Sequence, residues 1–136
     1  MARPIRTFPD SGVLITAFKG APQLRELALK ILEDPDRVFL TSPFVRLEVL
    51  PKAIFNKQAD ETRFYERFFA RSVVATNINA ILTLGEKEAA RSGVGPMDSL
   101  HIAAARLLKS DVFITTEKPN KSIHRTSLVK VVYLFS

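Results

Sequence analysis

Four acidic residues in this sequence fall at the end of a predicted strand, at the start of a helix or, in one case, inside the helix that follows a strand. They are Asp10 in "FPDSGVLI", Glu48 in "FVRLEVL", Asp98 in "GPMDSLHIAAA" and Glu117 in "FITTEKP". In an open parallel sheet the carboxyl ends of the strands meet at one edge, and ligands bind in the loops that follow them. We therefore expect the four carboxylates to converge at one edge of a sheet.

Converging carboxylates predict a particular kind of ligand. They repel one another, and burying them is costly unless a cation neutralises them. Oxygen ligands without thiolates or histidine pairs favour Mg²⁺ or Mn²⁺ over zinc, and these ions commonly act on phosphate substrates. The sequence contains no cysteine, which excludes disulfides, thiolate zinc sites and cysteine nucleophiles.

Each acid also has an ordinary structural explanation. Asp10 is a typical turn residue, Asp98 suits a helix N-terminus, and Glu117 suits a solvated loop. Glu48 is harder to explain in this way, because apolar residues flank it in mid-helix and it needs either a solvent-facing stripe or a partner. His101, three residues after Asp98, is expected to be an ordinary histidine on a helix surface.

The elements that must position these side chains alternate along the chain. Candidate strands cover residues 5–8, 37–42, 72–76, 111–116 and 128–135. Helical patterns cover residues 21–34, 42–55, 60–72, 77–93 and 95–110, and Pro51 is expected to kink or end the second. Residues 116–127 resemble a loop. This alternation predicts an α/β fold in which helices cover both faces of a parallel sheet.

Length and composition predict a single small domain with a basic surface. The 136 residues fit one domain, which we expect to span residues 1–136. No apolar run is long enough for a membrane span and no secretory signal pattern is present, so a soluble cytoplasmic protein is expected. The net charge of +6 would attract polyanions, although charge alone is weak support for RNA binding.

Two basic segments are candidates for contact with RNA phosphates. The first comprises Arg63, Arg67 and Arg71. These arginines recur every four residues on a helix with aromatic residues on its other face, so they form either a phosphate-binding edge or a solvated face over an aromatic core. The second comprises Lys118, Lys121, His124 and Arg125. It lies beside Glu117 and is the better candidate of the two, although a mobile charged loop is an equal alternative.

The order and local sequences of the four acids resemble those of the PIN-domain nucleases, which include the VapC-type toxins of toxin–antitoxin pairs. The matching segments are "DSGVLI", "SPFVRLEVL", "MDSLHIAAA" and "FITTEKP". The resemblance covers nearly the whole chain and is most specific at Asp98, which precedes an isoleucine and a run of alanines. It implies a PIN-like three-layer sandwich, with a parallel five-stranded sheet between layers of helices.

The resemblance also implies roles for individual residues. Asp10, Glu48 and Asp98 match the three acids that hold the metal in that family, with Glu48 as a second ligand or a base that positions water. Glu117 falls where the family usually has a fourth acid or an asparagine, and would bind a second ion. Thr115 matches a threonine or serine whose hydroxyl orients a carboxylate, a water or the phosphate.

The activity implied is that of an endoribonuclease that depends on Mg²⁺ or Mn²⁺ and hydrolyses RNA phosphodiester bonds, leaving a 5′-phosphate and a 3′-hydroxyl. In the toxin–antitoxin setting, a small antitoxin protein would cover the acidic site. Two copies of the chain would form a homodimer, for which the aromatic segment "FYERFF" (64–69) is a candidate surface.

Two positions depart from the family pattern. Gly12 replaces the asparagine that usually stands two residues after the first acid, so one supporting hydrogen bond is expected to be missing. Pro9 precedes Asp10, and proline belongs at a strand end because it donates no hydrogen bond to the ladder. These departures leave open a non-catalytic PIN-like domain that binds RNA or serves as a scaffold. A receiver-type phosphoacceptor would need adjacent acids after the first strand, and these are absent.

Overall fold

The computed structural model describes residues 3–136, which contain a five-stranded parallel sheet. The strands are β1 (Ile5–Pro9), β2 (Arg37–Thr41), β3 (Val73–Val74), β4 (Val112–Thr115) and β5 (Val131–Tyr133). Their order across the sheet is β3-β2-β1-β4-β5, and every neighbouring pair is parallel. The predicted α/β fold with a parallel five-stranded sheet is therefore confirmed.

Six α-helices connect these strands within the described part of the chain. They are α1 (Ser11–Lys19), α2 (Pro22–Leu32), α3 (Pro43–Phe55), α4 (Ala59–Ala70), α5 (Ile78–Ser92) and α6 (Pro96–Leu107). The chain moves from β1 to β3 in one direction and returns across the sheet to β4. Because such crossovers are right-handed, this reversal places α1 to α4 on one face and α5 and α6 on the other.

Local capping explains where several helices begin. The Asp10 side chain accepts a hydrogen bond from the Val13 backbone N–H, and the Ser42 hydroxyl accepts from the first turn of α3. The Asn77 side chain accepts from Ala80 N–H at the start of α5, and that helix ends at Gly93 with φ of 74°. Asp10 and Asn77, which follow β1 and β3, thus also define the starts of α1 and α5.

Two features of the helices differ from the sequence prediction. Helix α1 was not identified, because it is short and its continuous apolar run shows no clear helical period. Pro51 does not end α3, which continues to Phe55. Pro51 and Leu47, whose carbonyl loses its usual N–H partner, are both exposed, so water can take the place of the missing hydrogen bond.

The core brings the first turn of α6 to the carboxyl edge of the sheet. The rings of Phe8 in β1 and Phe113 in β4 stack with centroids 5.4 Å apart. In α6, Ala103, Ala104 and Ala105 are completely buried. Because alanine side chains are small, this helix packs closely, and His101 near its start lies close to Phe8 of β1, with ring centroids 6.5 Å apart.

The aromatic segment of α4 faces the core of its own chain. Tyr65, Phe68 and Phe69 are all buried, and Phe68 packs against Phe39 of β2. The proposal that "FYERFF" provides a homodimer surface is therefore wrong, because three of its four aromatic rings are unavailable to a second copy. Within residues 3–136, no helix combines the length and the apolar character needed to cross a membrane.

Candidate active site

Asp10 lies at the end of β1, where its carboxylate joins three elements. The residue is 7 % exposed. Its Oδ1 accepts a hydrogen bond from the Val13 N–H of α1 at 3.1 Å, and its Oδ2 accepts one from the Thr115 hydroxyl at the end of β4 at 2.5 Å. The Glu117 backbone N–H in turn donates to the Thr115 hydroxyl at 3.0 Å. The loop after β4 is thereby connected to Asp10.

Burial dominates the electrostatics of Asp10. Loss of solvation raises its pKa to about 6, even though the hydrogen bonds from Thr115 and Val13 and the nearby His101 all favour the ionised form. The charge of Asp98 adds to the increase. Asp10 is thus held in a defined orientation at a position where its negative charge is poorly compensated.

Glu48 lies on α3 and finds its partner on α6. The His101 Nε2 is 2.5 Å from Glu48 Oε1, and this contact is the main reason why the pKa of Glu48 is lowered. The Glu48 side chain is 33 % exposed, whereas His101 is only 1 % exposed. The expectation that His101 is a surface residue is therefore wrong. Its position one helical turn after Asp98 was the available sequence signal, because residues three apart share a helix face.

Asp98 lies between the other acids electrostatically. Burial raises its pKa, and the charges of Glu117 and Glu48 raise it further, while His101 opposes the increase. Asp98 also raises the pKa of Asp10. Asp98 therefore interacts electrostatically with each of the other three acids, and His101 interacts with Asp10, Glu48 and Asp98.

The four carboxylates are not neutralised by basic side chains, because no lysine or arginine within residues 3–136 forms an ion pair with any of them. In the same part of the chain, no group of three or more histidine or acidic side chains is already arranged to hold a metal ion. The donors are nevertheless carboxylate oxygens, which are the ligands that Mg²⁺ or Mn²⁺ requires. The exposed Glu117 is free to adjust around an ion, whereas Glu48 is already in contact with His101.

Gly12, where the family asparagine is absent, lies against the end of β4. A Cβ atom on Gly12 would collide with the Thr116 hydroxyl and would lie 3.3 Å from Asp10 Oδ1. The Thr116 side chain thus occupies space beside Asp10 that a larger residue at position 12 would require. The backbone of α1 has its usual helical geometry at this position, so an unusual backbone angle does not require glycine. Glycine is needed because the Thr116 side chain approaches closely.

The two basic segments lie in opposite halves of the molecule. Helix α4 precedes the edge strand β3, whereas the loop between β4 and β5 precedes the other edge strand. Lys118 and Lys121 are exposed in that loop beside Glu117. A 3₁₀ turn at Ser122–Arg125 and a contact of 2.9 Å between His124 Nε2 and the Glu117 carbonyl give the loop a defined shape.

The arginines of both segments make local contacts. Arg125 donates to the Ser92 carbonyl at the end of α5 at 3.3 Å. On α4, Arg63 pairs with Asp60, and the guanidinium of Arg71, at the end of this helix, lies over the ring of Phe39. Arg67 is exposed. These contacts favour the interpretation of the arginine stripe as a solvated face over an aromatic core.

A cavity that the sequence did not indicate begins at Glu48. It lies between α1, α3 and α4 and has a volume of about 690 Å³. Lys19 and Lys52 line it, together with the buried Glu61, which accepts a hydrogen bond from the Tyr65 hydroxyl at 2.6 Å. Lys19 Nζ lies 3.2 Å from Glu61. A ligand in this cavity would be next to the acidic site.

The amino-acid sequence matches the PIN domain family over residues 7–119. A search of curated protein sequences finds no significant match. The family match includes all four acids and Thr115.

Solved structures with a similar fold include three complexes. VapBC-1 from nontypeable Haemophilus influenzae aligns with a TM-score of 0.70 at 17 % identity, covering 97 % of this chain and 100 % of the other. VapBC2 from Rickettsia felis, bound to a DNA fragment from the promoter, gives 0.67 at 14 % identity, with 95 % and 98 % covered. A toxin–antitoxin complex from Klebsiella pneumoniae gives 0.67 at 16 % identity, with 90 % and 94 % covered. These similarities establish the fold.

The buried charge of Asp10 predicts a pH-dependent effect of Asp10→Asn. The folded-state pKa of about 6 exceeds the ordinary 3.8, so the contribution of Asp10 to stability is complete below pH 3.8 and is lost as the pH rises through 6. Asparagine carries no charge and retains an oxygen for the Val13 N–H. We expect Asp10→Asn to gain about 2–3 kcal/mol in unfolding free energy relative to wild type between pH 4 and pH 8.

Urea unfolding with EDTA at both pH values measures this difference. Asp36→Asn, an exposed substitution just before β2 at the opposite edge of the sheet, is the control and is expected to show no such change. A difference between Asp10→Asn and wild type that does not vary with pH would contradict the assignment of a buried charge.

The packing of Gly12 predicts a coupled pair of substitutions. Gly12→Ala is expected to destabilise the protein by about 1–3 kcal/mol, because its methyl group meets the Thr116 hydroxyl. In a Thr116→Ala background the collision is removed, and the same substitution should stabilise the helix by up to about 1 kcal/mol. Unfolding free energies of the four proteins test this coupling, and additive effects would argue against it.

Proposed function

The chain belongs to the PIN domain family, as the order of its acids predicted, and from this membership we propose that it is a metal-dependent endoribonuclease that hydrolyses RNA phosphodiester bonds. The observation that carries the proposal is the set of four carboxylates at the carboxyl edge of the sheet, where the charge of Asp98 interacts unfavourably with the other three. No lysine or arginine in residues 3–136 forms an ion pair with any of them. Such an arrangement is costly for the free protein and is explained by a cationic ligand.

Each residue of the site has a proposed task in this reaction. Asp10 and Asp98 are the principal ligands of the ion, and Glu48 completes the set from α3. Thr115 fixes the Asp10 carboxylate through its hydroxyl. Bound Mg²⁺ or Mn²⁺ supplies positive charge for the phosphate oxygens and makes an attacking water more acidic. Glu117 lies exposed at the start of the basic loop, where it can bind a second ion close to the substrate.

Asp98→Asn tests the proposed activity directly. The substitution removes a charged ligand and also removes a carboxylate whose pKa is raised, so the fold is expected to be as stable as wild type or more stable. We expect the rate of RNA cleavage with Mn²⁺ or Mg²⁺ to fall by about 100-fold or more, since charge stabilisation by a metal is worth several kcal/mol. The measurement is cleavage of a labelled single-stranded RNA.

Asp36→Asn is the matched control, because it makes the same chemical change at the opposite edge of the sheet. Equal cleavage rates for wild type and Asp98→Asn would overturn the nuclease proposal. That result would favour the second candidate function, a non-catalytic domain that binds RNA or acts as a scaffold. The observations in its favour are Gly12 and Pro9, the two departures from the family pattern on either side of Asp10.

The proposal extends to a role as the toxin of a type II toxin–antitoxin pair. Its support is the similarity of the fold to chains from toxin–antitoxin complexes, together with the cavity beside Glu48, which offers an antitoxin a surface next to the acids. Wild type and Asp98→Asn also test this role. Expression of wild type should arrest bacterial growth, whereas expression of Asp98→Asn should not.

We also propose that the loop after β4 contacts the RNA backbone. Replacing Lys118 and Lys121 with alanine should raise KM and reduce its salt dependence, since each phosphate contact to a single strand contributes a slope of about 0.7 in log[salt]. The control replaces Arg25 and Lys30, both exposed on α2, with alanine. An unchanged salt slope in the loop variant would exclude these lysines from the RNA contact.

A further inference from the structure

His101 is the buried histidine that connects the two helices bearing acids. It lies on α6, three residues after Asp98, and its Nε2 contacts Glu48 Oε1 on α3 at 2.5 Å. The residue is 1 % exposed, and its ring packs near that of Phe8, with centroids 6.5 Å apart. His101 therefore has a fixed position, whereas the long Glu48 side chain reaches the acidic edge from a partly exposed position.

The two ring nitrogens of His101 have very different surroundings. Nε2 faces a carboxylate oxygen, but Nδ1 is buried without a hydrogen-bond partner. A hydrogen on Nδ1 alone would leave a buried donor unpaired and would direct the Nε2 lone pair at the carboxylate. A hydrogen on Nε2 forms the hydrogen bond with Glu48 and avoids both costs. The surroundings therefore favour His101 as a donor to Glu48.

A histidine used only for packing does not explain this arrangement. An apolar side chain of similar size would fill the same space without leaving Nδ1 unpaired, and burying an unpaired polar atom is unfavourable. The contact through the other ring nitrogen instead fixes where the Glu48 carboxylate lies. In metal sites, groups that hydrogen-bond to the ligands set ligand orientation, and their removal typically weakens metal binding by about 10- to 100-fold.

We propose that His101 is a positioning residue that donates from Nε2 to Glu48 Oε1, holding the Glu48 carboxylate near Asp98 so that Oε2 can bind a divalent cation. This inference rests on the proposed function for the identity of the ligand. The acids cannot hold Glu48 in place themselves, because the charges of Asp98 and Glu48 repel each other. The hydrogen bond counteracts the tendency of Glu48 to move away from the other carboxylates.

The test compares Mn²⁺ affinity, measured by titration calorimetry, among variants of the full chain. His101→Leu retains the bulk but has no donor, and we expect it to bind Mn²⁺ 10- to 100-fold more weakly than wild type. His101→Gln carries an amide N–H that can reach the place of Nε2, and it should stay within about threefold of wild type. In a Glu48→Ala background, His101→Leu should cause less than a threefold further loss, because its partner is already absent.

A purely structural role makes a different prediction. It would lower the urea midpoint of His101→Leu while leaving Mn²⁺ affinity within twofold of wild type, and that result would overturn the proposal. A wild-type protein that binds no Mn²⁺ would overturn it as well. A wild-type protein that binds Mn²⁺ tightly but cleaves no RNA would refute the nuclease function, and the affinity series would still decide the role of His101.

A second measurement does not depend on the folding of His101→Leu. Long-range ¹H–¹⁵N NMR spectra of the metal-free wild-type protein report which ring nitrogen carries the hydrogen. A hydrogen on Nε2 supports the proposal, and the signal should shift in Glu48→Ala. A hydrogen on Nδ1 alone would overturn the proposal, because His101 would then have nothing to donate to Glu48.

Discussion

Asp10 is buried where the central strand ends, and its carboxylate holds three parts of the fold together. One oxygen caps α1, the other accepts the hydroxyl of Thr115 from β4, and Thr115 also accepts the N–H that starts the following loop. Removal from water raises the pKa of this aspartate to about 6 despite those hydrogen bonds. The other features of the site are arranged around a charge that the protein positions well and stabilises poorly.

Asp98 interacts unfavourably with that charge and with those of Glu48 and Glu117, and the rest of the fold must offset this cost. The stacked rings of Phe8 and Phe113 and the buried alanines of α6 supply apolar packing directly behind the acids. This packing also determines the geometry of the site, because close contact between α6 and the sheet places Asp98 near the end of β1. The apolar packing behind the acids and the unfavourable charge interactions between them are therefore parts of the same arrangement, which is usual for functional sites.

The surroundings of the acidic edge are asymmetric. The loop after β4 adds exposed lysines on the side of Glu117, and the cavity between α1, α3 and α4 lies on the side of Glu48. Under the proposed function, an RNA strand and a protein partner would approach from different sides and meet at the carboxylates. Of the four acids, Glu48 alone belongs to both the cavity and the site, and its contact with His101 lies where the two meet.

The sequence by itself determined the α/β class, the parallel sheet, the order of the strands along the chain and the four acids near the carboxyl edge of the sheet. These features depend on local signals, namely apolar periodicity, capping residues and the position of an acid relative to a strand. Helix α1 was not predicted, because its nine residues contain a continuous apolar run with too little helical periodicity. Pro51 was misjudged because the effect of a missing N–H depends on whether water can replace it.

Only the tertiary structure decided what each side chain meets. The buried position of His101, the orientation of Tyr65 and its aromatic neighbours toward the core, and the contact of Gly12 with Thr116 all join residues that are distant in sequence or face a neighbouring element. The local sequence pattern does not indicate such contacts, because the same histidine on a helix can face solvent or a carboxylate. The residue types of the acids therefore indicated their chemistry. The residues that they contact are determined by how the helices pack against the sheet, which the sequence pattern does not show.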